Sequence, residues 1–284
     1  MQTNAKKRVG ILRGGEGKHY TSSLQKGGEI ISQIFENLAD KYKIFDILID
    51  KDGAWHLNGK PIVPSDLIHK VDIVWNVAGN NFSNILNSLS IPHVSVGSFS
   101  SALQGNKDFL REHIKSIGVL MPRFIASPKN AKEVFEKFSS PWIVKISNEA
   151  RVVKTFNELA EMIDGRNDAM VEEFILGKIA TVHSVPDFRG QDFYTFPLGV
   201  SYGVFSDAEK EKLFNLAKVI HKHIGAKHYL KSDFVLTPRG KVYLLQVEDI
   251  PDLNPNSHLS QVALSVGAQT HHIIEHILEQ VEPR

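Results

Sequence analysis

The sequence predicts a protein of mixed class, with a parallel α/β domain at the N-terminus and two further parts that combine strands and helices. Strand patterns alternate with helical patterns over the first ~95 residues, which is typical of parallel strands joined by helical crossovers. A strand–turn–strand pattern over residues 233–248 predicts an antiparallel hairpin near the end of the chain. A chain of 284 residues is long enough for two or three such parts.

The N-terminal part contains a series of short strands and one long helix. The predicted strands cover residues 8–12, 42–49, 71–76 and 91–96. Residues 23–38 carry apolar side chains at helical spacing, which predicts the helix that follows the first strand. A second helix is predicted at residues 100–117.

The second part begins near Pro122, and a third part follows it to the C-terminus. The second part has predicted strands at residues 142–146 and 169–175, with a helix between them. The predicted elements of the third part are a strand at 179–185, a helix at 207–224, the hairpin at 233–248 and a helix at 259–280.

The composition excludes several classes of protein. Hydrophobic residues make up 42% of the chain and charged residues 23%, and the formal net charge is +1. This near-neutral charge argues against nucleic acid as the main partner. The chain has no cysteine, which excludes disulfides and thiolate chemistry and fits a cytoplasmic protein. No apolar run is long enough for a signal peptide or a membrane span, so we expect neither.

The ends of the predicted hairpin carry oxygen-rich side chains. Asp233 lies in the first strand, and Gln246 and Glu248 lie at the end of the second. Residues two apart on a strand face the same side, so Gln246 and Glu248 share a face. Pairing of the two strands would bring Asp233 to them and form a patch that Mg²⁺ accepts beside nucleotide phosphates. A surface hairpin with polar ends is the alternative interpretation.

This hairpin resembles the metal-binding hairpin of the ATP-grasp ligases, and specifically that of the D-alanine–D-alanine ligase family. In that family the first strand begins with Arg-x-Asp, and the second ends with Leu-Glu-x-Asn before a Pro-Gly turn. Residues 231–233, Lys-Ser-Asp, align with the first motif, and residues 245–248, Leu-Gln-Val-Glu, align with the second. Pro251 falls on the family proline.

Four positions of the hairpin depart from the family pattern. Lys231 replaces Arg, and Asp252 replaces the turn glycine. Gln246 stands where the family has its metal-bridging Glu, and Glu248 stands where it has Asn. The patch therefore keeps two carboxylates and one amide, which favours a retained magnesium–nucleotide site.

The resemblance covers nearly the whole chain and implies an ATP-grasp fold. It implies an N-terminal α/β domain over residues 1–97, a central lobe over 98–178 and a C-terminal lobe with the metal hairpin over 179–284. The implied reaction joins a carboxylate to an amine at the expense of ATP, with Mg²⁺ and an acyl-phosphate intermediate. The implied partners are amino-acid-like small molecules of peptidoglycan biosynthesis and a second copy of the chain in a homodimer.

The resemblance assigns two lysines to the ATP phosphates and a short acidic segment to adenine. Lys107 follows Gly105-Asn106 at the start of a helix, and Lys145 lies at the end of a strand in a Val-Lys context. The alternative for either lysine is a solvated side chain. The segment that resembles the adenine-binding linker comprises Glu172, Glu173, Phe174 and Ile175.

The resemblance also assigns roles near the amino-acid substrates. Ser23 aligns with a family serine near the first substrate, whereas His19 stands where the family has a Glu that faces the substrate ammonium. Lys231, in the place of the family Arg, would stabilise the tetrahedral oxyanion.

Several family features are missing. Ile179 stands where the family has a Glu for the ribose hydroxyls. The glycine-rich loop that covers the phosphates is reduced to residues 147–151 followed by a helix, and the substrate-closing loop to residues 196–203. Because such loops exclude water and hold phosphates, their loss favours a second hypothesis. In that hypothesis the chain is a non-catalytic homologue that binds a nucleotide or a protein partner.

Histidines are frequent near the C-terminal helices. His272 and His276 are four residues apart, as in a helical Zn²⁺ pair, but the sequence supplies no third ligand. We therefore interpret these histidines, with His221, His223 and His228, as solvated helix residues.

Overall fold

The computed structural model describes residues 5–15, 20–94, 106–146, 149–199 and 203–281, and only the backbone of residues 80 and 107. These residues form three sheets that follow one another along the chain, one of six strands and two of four. The first sheet uses residues 7–94, the second 124–173 and the third 178–248. None of the helices in these ranges is long and apolar enough to cross a membrane.

The six-stranded sheet has the order β4-β3-β2-β1-β5-β6. Its strands are β1 (Lys7–Gly14), β2 (Tyr42–Ile49), β3 (Trp55–Leu57), β4 (Lys60–Ile62), β5 (Ile73–Asn76) and β6 (His93–Val94). Its helices are α1 (Tyr20–Asn37) and α2 (Asn80–Ser88), with a 3₁₀ turn at Pro64–His69. The predicted parallel pairing holds for β1, β2, β5 and β6.

The expectation of an entirely parallel sheet is wrong at one edge. Strands β3 and β4 pair antiparallel with β2 and with each other. The connections are too short for a helical crossover, so only antiparallel pairing is available. Asn58 and Gly59 form the second turn with φ of 48° and 79°, the left-handed conformation that a tight hairpin requires.

The central sheet is antiparallel, with the order β7-β10-β8-β9. Its strands are β7 (Phe124–Ala126), β8 (Trp142–Ile146), β9 (Glu149–Val153) and β10 (Ala169–Glu173), and the helices of this part are α3 (Lys107–Lys115), α4 (Ala131–Lys137) and α5 (Phe156–Ile163). Residues 100–105 of the helix predicted at 100–117 lie outside the described residues. Strand β9 was not predicted, and a shortened loop was expected in its place. Four of its five residues are exposed, so buried and exposed side chains do not alternate along it.

The C-terminal sheet is antiparallel, with the order β12-β11-β13-β14. Its strands are β11 (Lys178–Pro186), β12 (Phe193–Thr195), β13 (Leu230–Leu236) and β14 (Val242–Glu248), and its helices are α6 (Asp207–Ile224), α7 (His258–Ser265) and α8 (Thr270–Glu279). The single C-terminal helix predicted over 259–280 is wrong. Gly267 has φ of 68° between α7 and α8, a left-handed conformation that ends the first helix.

The first sheet and the C-terminal helices share one hydrophobic core. Val9 and Ile11 of β1 belong to the same buried cluster as Ile273 and Ile277 of α8. An ion pair between Lys41 and Glu275 joins the two parts at the surface. The domain limits at residues 97 and 178 stay predictions, but the two ends of the chain pack as one unit.

We expect Ile273→Ala to lower the free energy of unfolding by about 2–5 kcal/mol, because it opens a cavity at a fully buried position of the shared core. Urea denaturation followed by circular dichroism measures the change. Leu264→Ala on α7 is the control, since Leu264 is 68% exposed and its truncation should change stability by less than about 0.5 kcal/mol. Equal effects of the two substitutions would contradict the shared core.

Tyr42 should make stability fall at alkaline pH. Burial above all, and then the carboxylates of Glu279 and Glu275, raise the pKa of this phenol to about 12 in the folded chain. The unfolded chain ionises at about 10. The contribution of Tyr42 is therefore fully present below pH ~10 and is lost, by at most about 3 kcal/mol, as the pH rises to ~12. Urea denaturation of Tyr42→Phe should show less of this loss, and identical pH profiles would contradict the assignment.

Candidate functional site

The antiparallel pairing of β13 with β14 assembles the predicted hairpin patch. Asp233 lies opposite Gln246, and Lys231 lies opposite Glu248. Gln246 Nε2 donates to Asp233 Oδ2 at 2.8 Å and lies 3.4 Å from Glu248 Oε1. The three residues predicted as metal ligands are therefore adjacent on one face of the sheet.

A β-bulge in β14 gives the patch its composition. The pairing runs from Asp233 opposite Gln246 to Phe234 opposite Leu244, so Leu245 is an additional residue on the second strand. Before the bulge, Leu244 points into the core; after it, Val247 does. The bulge thus turns Gln246 and Glu248 to the face that Asp233 occupies. The adjacent apolar pair at 244–245, which breaks the alternation, is a signal of the bulge that the sequence interpretation overlooked.

The Lys231 ammonium lies between the two carboxylates of the patch. Nζ is 3.1 Å from Asp233 Oδ2 and 3.3 Å from Glu248 Oε1. Burial acts to lower the pKa of Lys231, but the two carboxylates outweigh burial and raise it above its ordinary value. Lys231 is therefore protonated at neutral pH and lies between the two carboxylates of the patch.

Thr181 belongs to the patch, although the sequence analysis did not identify it. It lies on β11 directly opposite Asp233, and its hydroxyl donates to Asp233 Oδ1 at 2.6 Å. Both oxygens of this carboxylate are thus engaged, and the side chain is only 12% exposed. The register of the predicted strand at 179–185 against the hairpin could have identified Thr181, but a single sequence does not specify that register.

The patch fits a single hard cation by its donor chemistry. Two carboxylates and one amide supply oxygen ligands once the Gln246 amide turns its oxygen toward the cation. This turn gives up the hydrogen bonds that Gln246 Nε2 donates to Asp233 and Glu248. In this structure Lys231 provides the positive charge between those carboxylates. Among the described residues, no three His, Cys, Asp or Glu side chains are grouped to hold a metal, so the patch depends on the amide.

Lys145 and Glu172, both predicted to contact the nucleotide, form an ion pair with each other. They lie on the neighbouring strands β8 and β10, with Nζ 2.9 Å from Glu172 Oε1. Glu172 is only 2% exposed, whereas Lys145 is 36% exposed. A carboxylate this buried requires compensation, so Lys145 has a structural role whatever ligand it contacts.

Glu173 faces the opposite side of β10 from Glu172. It forms a two-pronged ion pair with Arg123, at 2.8 Å to Nη2 and 2.9 Å to Nε. The Arg123 guanidinium holds the pKa of this carboxyl below its usual range. Glu173 thus fastens the end of β10 to the start of β7.

Phe174 and Ile175 begin the segment that links the central sheet to the C-terminal sheet, and both are half-buried. Phe174 N–H donates to Pro141 O at 3.3 Å. Gly177 ends this segment so close to β13 that an added Cβ would lie 2.3 Å from Leu236 O. The predicted adenine-binding segment therefore runs between two sheets, and its contact with adenine stays a prediction.

Ser23 and Lys107 lie at helix beginnings. Ser23 is buried in the first turns of α1, and its hydroxyl accepts from Gly14 N–H at 3.0 Å, which holds the end of β1 against the helix. Lys107 is the first residue of α3, whose Asn106 caps it by accepting from Phe109 N–H. The side chain of Lys107, like His19, lies outside the described residues, and the ligand contacts of Ser23 and Lys107 stay predictions.

The interpretation of the helix histidines as solvated residues is wrong for His221. Its ring is buried, with Nδ1 2.7 Å from Ser184 Oγ and Nε2 3.0 Å from Ala226 O, and burial lowers its pKa to about 4. His276 Nε2 contacts Pro186 O at 2.7 Å, and His272 Nδ1 accepts from Gln269 N–H at 3.0 Å. These bonds hold loops and helix ends, and no sequence pattern indicates them.

The three sheets, the linker between the second and third, and the hairpin patch have the arrangement of the ATP-grasp fold. Among solved structures, the chain is similar to the VanG D-Ala:D-Ser ligase from Enterococcus faecalis, with a TM-score of 0.74, 18% identity and coverage of 97% of this chain and 99% of that one. It is also similar to a D-alanine–D-alanine ligase from Bacillus anthracis complexed with ATP, with a TM-score of 0.73, 20% identity and coverage of 96% of both chains.

Sequence comparison finds relatives of the same kind. The chain is 25% identical to the D-alanine–D-alanine ligase of Aquifex aeolicus over 297 residues, which cover 95% of this chain and 99% of the relative. It is 23% identical to that of Clostridium botulinum (strain Eklund 17B), over 96% of this chain and 98% of the relative. No family model matches the chain. The chain is thus D-alanine–D-alanine ligase-like in sequence and in fold.

A double-mutant cycle on Lys145 and Glu172 should give a large coupling energy. Lys145→Met leaves the buried Glu172 carboxylate without this partner and should lower the free energy of unfolding by about 3 kcal/mol. Adding Glu172→Met should recover part of that loss, with a coupling of about 1–3 kcal/mol in urea denaturation. The surface pair Lys132–Glu136, measured in the same way, should couple by less than about 0.5 kcal/mol. Equal coupling in the two pairs would contradict the structural role of Lys145.

Proposed function

We propose that the chain is an ATP-dependent carboxylate–amine ligase that uses Mg²⁺ and an acyl-phosphate intermediate. The observation that carries this proposal is the patch of Lys231, Asp233, Gln246 and Glu248 on the bulged hairpin of an ATP-grasp fold. The ligase names of relatives that match nearly the whole chain support it further. Those names favour a ligase over a non-catalytic homologue.

Asp233, Glu248 and the amide oxygen of Gln246 would hold the metal ion. When bound, Mg²⁺ would neutralise the phosphate oxygens and so lower the barrier to phosphoryl transfer. Thr181 contributes by fixing the Asp233 carboxylate through the hydrogen bond at 2.6 Å. A carboxylate held in one orientation binds a cation with less loss of side-chain entropy.

In the proposed reaction, a substrate carboxylate oxygen attacks the γ-phosphorus of ATP, and ADP leaves with the electrons of the broken P–O bond. The amine of the second substrate then attacks the acyl carbon, and the tetrahedral adduct loses inorganic phosphate and one amine proton, which the phosphate takes up, to give the amide. The Lys231 ammonium, which keeps its proton at neutral pH, would stabilise the oxyanion of that adduct.

The nucleotide would lie between the central and C-terminal sheets. Lys145 would contact the phosphates through the side of its ammonium group that faces away from Glu172. Lys107 would contact them from the start of α3. The backbone of the 172–175 segment would receive adenine. Arg151 and Lys154 at the end of β9 are exposed cations that would substitute for part of the missing phosphate loop.

The substrates of this proposal are amino-acid-like small molecules, and the compartment is the cytoplasm. A homodimer formed through the N-terminal part belongs to the same proposal.

Calorimetric titration with ATP in Mg²⁺, followed by a phosphate-release assay with and without D-alanine, tests the proposal. We expect Mg²⁺-dependent binding and phosphate release that D-alanine stimulates. Asp233→Asn should weaken Mg²⁺-dependent ATP binding by at least about tenfold, because it removes one of two anionic ligands. Glu211→Gln, an exposed change on α6, is the control and should leave binding unchanged.

Two outcomes would contradict the proposal. ATP binding without phosphate release for any amino-acid pair would favour the non-catalytic homologue. Equal ATP affinity in the wild type and in Asp233→Asn would show that the hairpin patch is not the metal site.

A further inference from the structure

Three side chains of the C-terminal part form a hydrogen-bonded chain that the proposed reaction does not use. Tyr229 Oη lies 2.6 Å from His183 Nδ1, and His183 Nε2 lies 2.8 Å from His258 Nδ1. Tyr229 and His183 are 2% exposed, whereas His258 is half-buried. The hydrogen-bonded chain thus runs from the core to a half-buried side chain.

The three groups are uncharged at neutral pH. Burial, with smaller effects of His258 and Lys231, holds the pKa of His183 well below its ordinary value. Burial also lowers the pKa of His258, against the opposing charge of Asp233. Burial raises the pKa of the Tyr229 phenol well above its ordinary value. Each imidazole therefore carries a single proton on one of its two nitrogens.

The buried hydroxyl of Tyr229 determines which nitrogen carries each proton. Its only hydrogen-bond partner among the described residues is His183 Nδ1, so the hydroxyl donates there and avoids being left unsatisfied. His183 Nδ1 is then an acceptor, and the His183 proton is on Nε2. That proton is donated to His258 Nδ1, so the proton of His258 is on Nε2.

His258 lies near the hairpin patch, because its partner His183 is paired opposite Lys231 on the neighbouring strand. His258 is the first residue of α7, and it is close enough to Asp233 and Lys231 for both charges to act on its pKa. Its Nε2 has no hydrogen-bond partner among the described residues. It packs against Gly199, where an added Cβ would lie only 2.3 Å from Nε2. Gly199 has an ordinary φ, so space for this ring, and not backbone conformation, requires glycine there.

We propose that His258 Nε2–H binds an anionic oxygen of the ligand in this site, either a substrate carboxylate or a phosphoryl group, and that His183 and Tyr229 are positioning residues that keep His258 a donor. The identity of the ligand rests on the proposed function. The direction of the hydrogen bonds does not rest on it.

A core function for this chain of polar groups explains less. A core function needs only an acceptor for the buried His183 Nε2–H, which His258 Nδ1 supplies. That function leaves unexplained the second nitrogen of His258, whose N–H has no hydrogen-bond partner among the described residues. A neutral N–H also suits this position, since a second full charge beside Lys231 would be repelled.

Imidazole nitrogen NMR of the ¹⁵N-histidine-labelled protein at pH 7.5 tests the direction of the chain without any ligand. We expect the spectra to show that both His183 and His258 carry their proton on Nε2. The signals of the two rings are assigned by their loss in His183→Gln and in His258→Gln. In Tyr229→Phe, which removes only the hydroxyl, His258 should become a mixture of tautomers. A wild-type His258 protonated on Nδ1 would overturn the proposal.

Binding of two separate probes tests the ligand contact and its source. His258→Leu should weaken binding of either Mg²⁺–ATP or D-alanine by about tenfold or more, the effect of a charge-assisted hydrogen bond. Loss of Mg²⁺–ATP affinity would identify a phosphoryl oxygen, and loss of D-alanine affinity a carboxylate. His258→Gln, whose amide reaches the place of Nε2, should retain affinity within about threefold.

Gly199→Ala is an independent variant, since it displaces the His258 ring without changing any donor. It should weaken the same probe as His258→Leu, while circular dichroism confirms the fold of each variant. Unchanged affinity for both probes in His258→Leu would overturn the contact while leaving the proposed function intact. A wild type that bound neither probe would overturn the proposed function and the contact together, and the tautomer would still establish the direction of the chain.

Discussion

One additional residue in β14 decides which side chains reach the site. If β14 were regular, residues 242, 244, 246 and 248 would share a face, and either the core would lose Leu244 or the patch would lose its amide and its second carboxylate. The bulge at Leu245 separates the two requirements, because Leu244 and Val247 both pack in the core while Gln246 and Glu248 face the opposite side. Bulges are common beside functional sites because they redirect a side chain without breaking the sheet.

The central strands of the C-terminal sheet then determine the electrostatics of the patch. Asp233 is nearly buried and would be costly as an isolated charge, but it receives hydrogen bonds from Thr181 and Gln246 and lies beside the Lys231 ammonium. The pairing is antiparallel on both sides of β13, so these partners are fixed by backbone register and not by flexible loops. The Asp233 carboxylate is therefore oriented before any ligand enters, whereas the Gln246 amide must turn to present its oxygen to a cation.

The sequence predicted the parts of this structure that depend on local pattern. The strands predicted at 42–49 and 142–146 and the helix at 207–224 agree closely with the structure, because their periodicity is regular and caps such as Ser206 and Gly225 mark the ends. The strand predicted at 169–175 ends earlier, at Glu173. Strand β9 and the break at Gly267 were missed, since an exposed edge strand and a left-handed residue leave little pattern. The hairpin ligands followed from motif and alternation. Thr181 and the Lys145–Glu172 pair did not, because they depend on which strands become neighbours.

The two polar residues that β11 presents to the patch, Thr181 and His183, differ because they lie opposite groups of different charge. Thr181 lies opposite Asp233, and His183 lies opposite Lys231. A hydroxyl can donate to the carboxylate, which is what a buried anion requires. A protonated imidazole beside the Lys231 ammonium would be repelled, so His183 stays neutral. A neutral His183 can accept a hydrogen bond at one nitrogen and donate one at the other. The same register that secures the Asp233 carboxylate therefore also makes His183 an uncharged link between the core hydroxyl of Tyr229 and the exposed edge of His258.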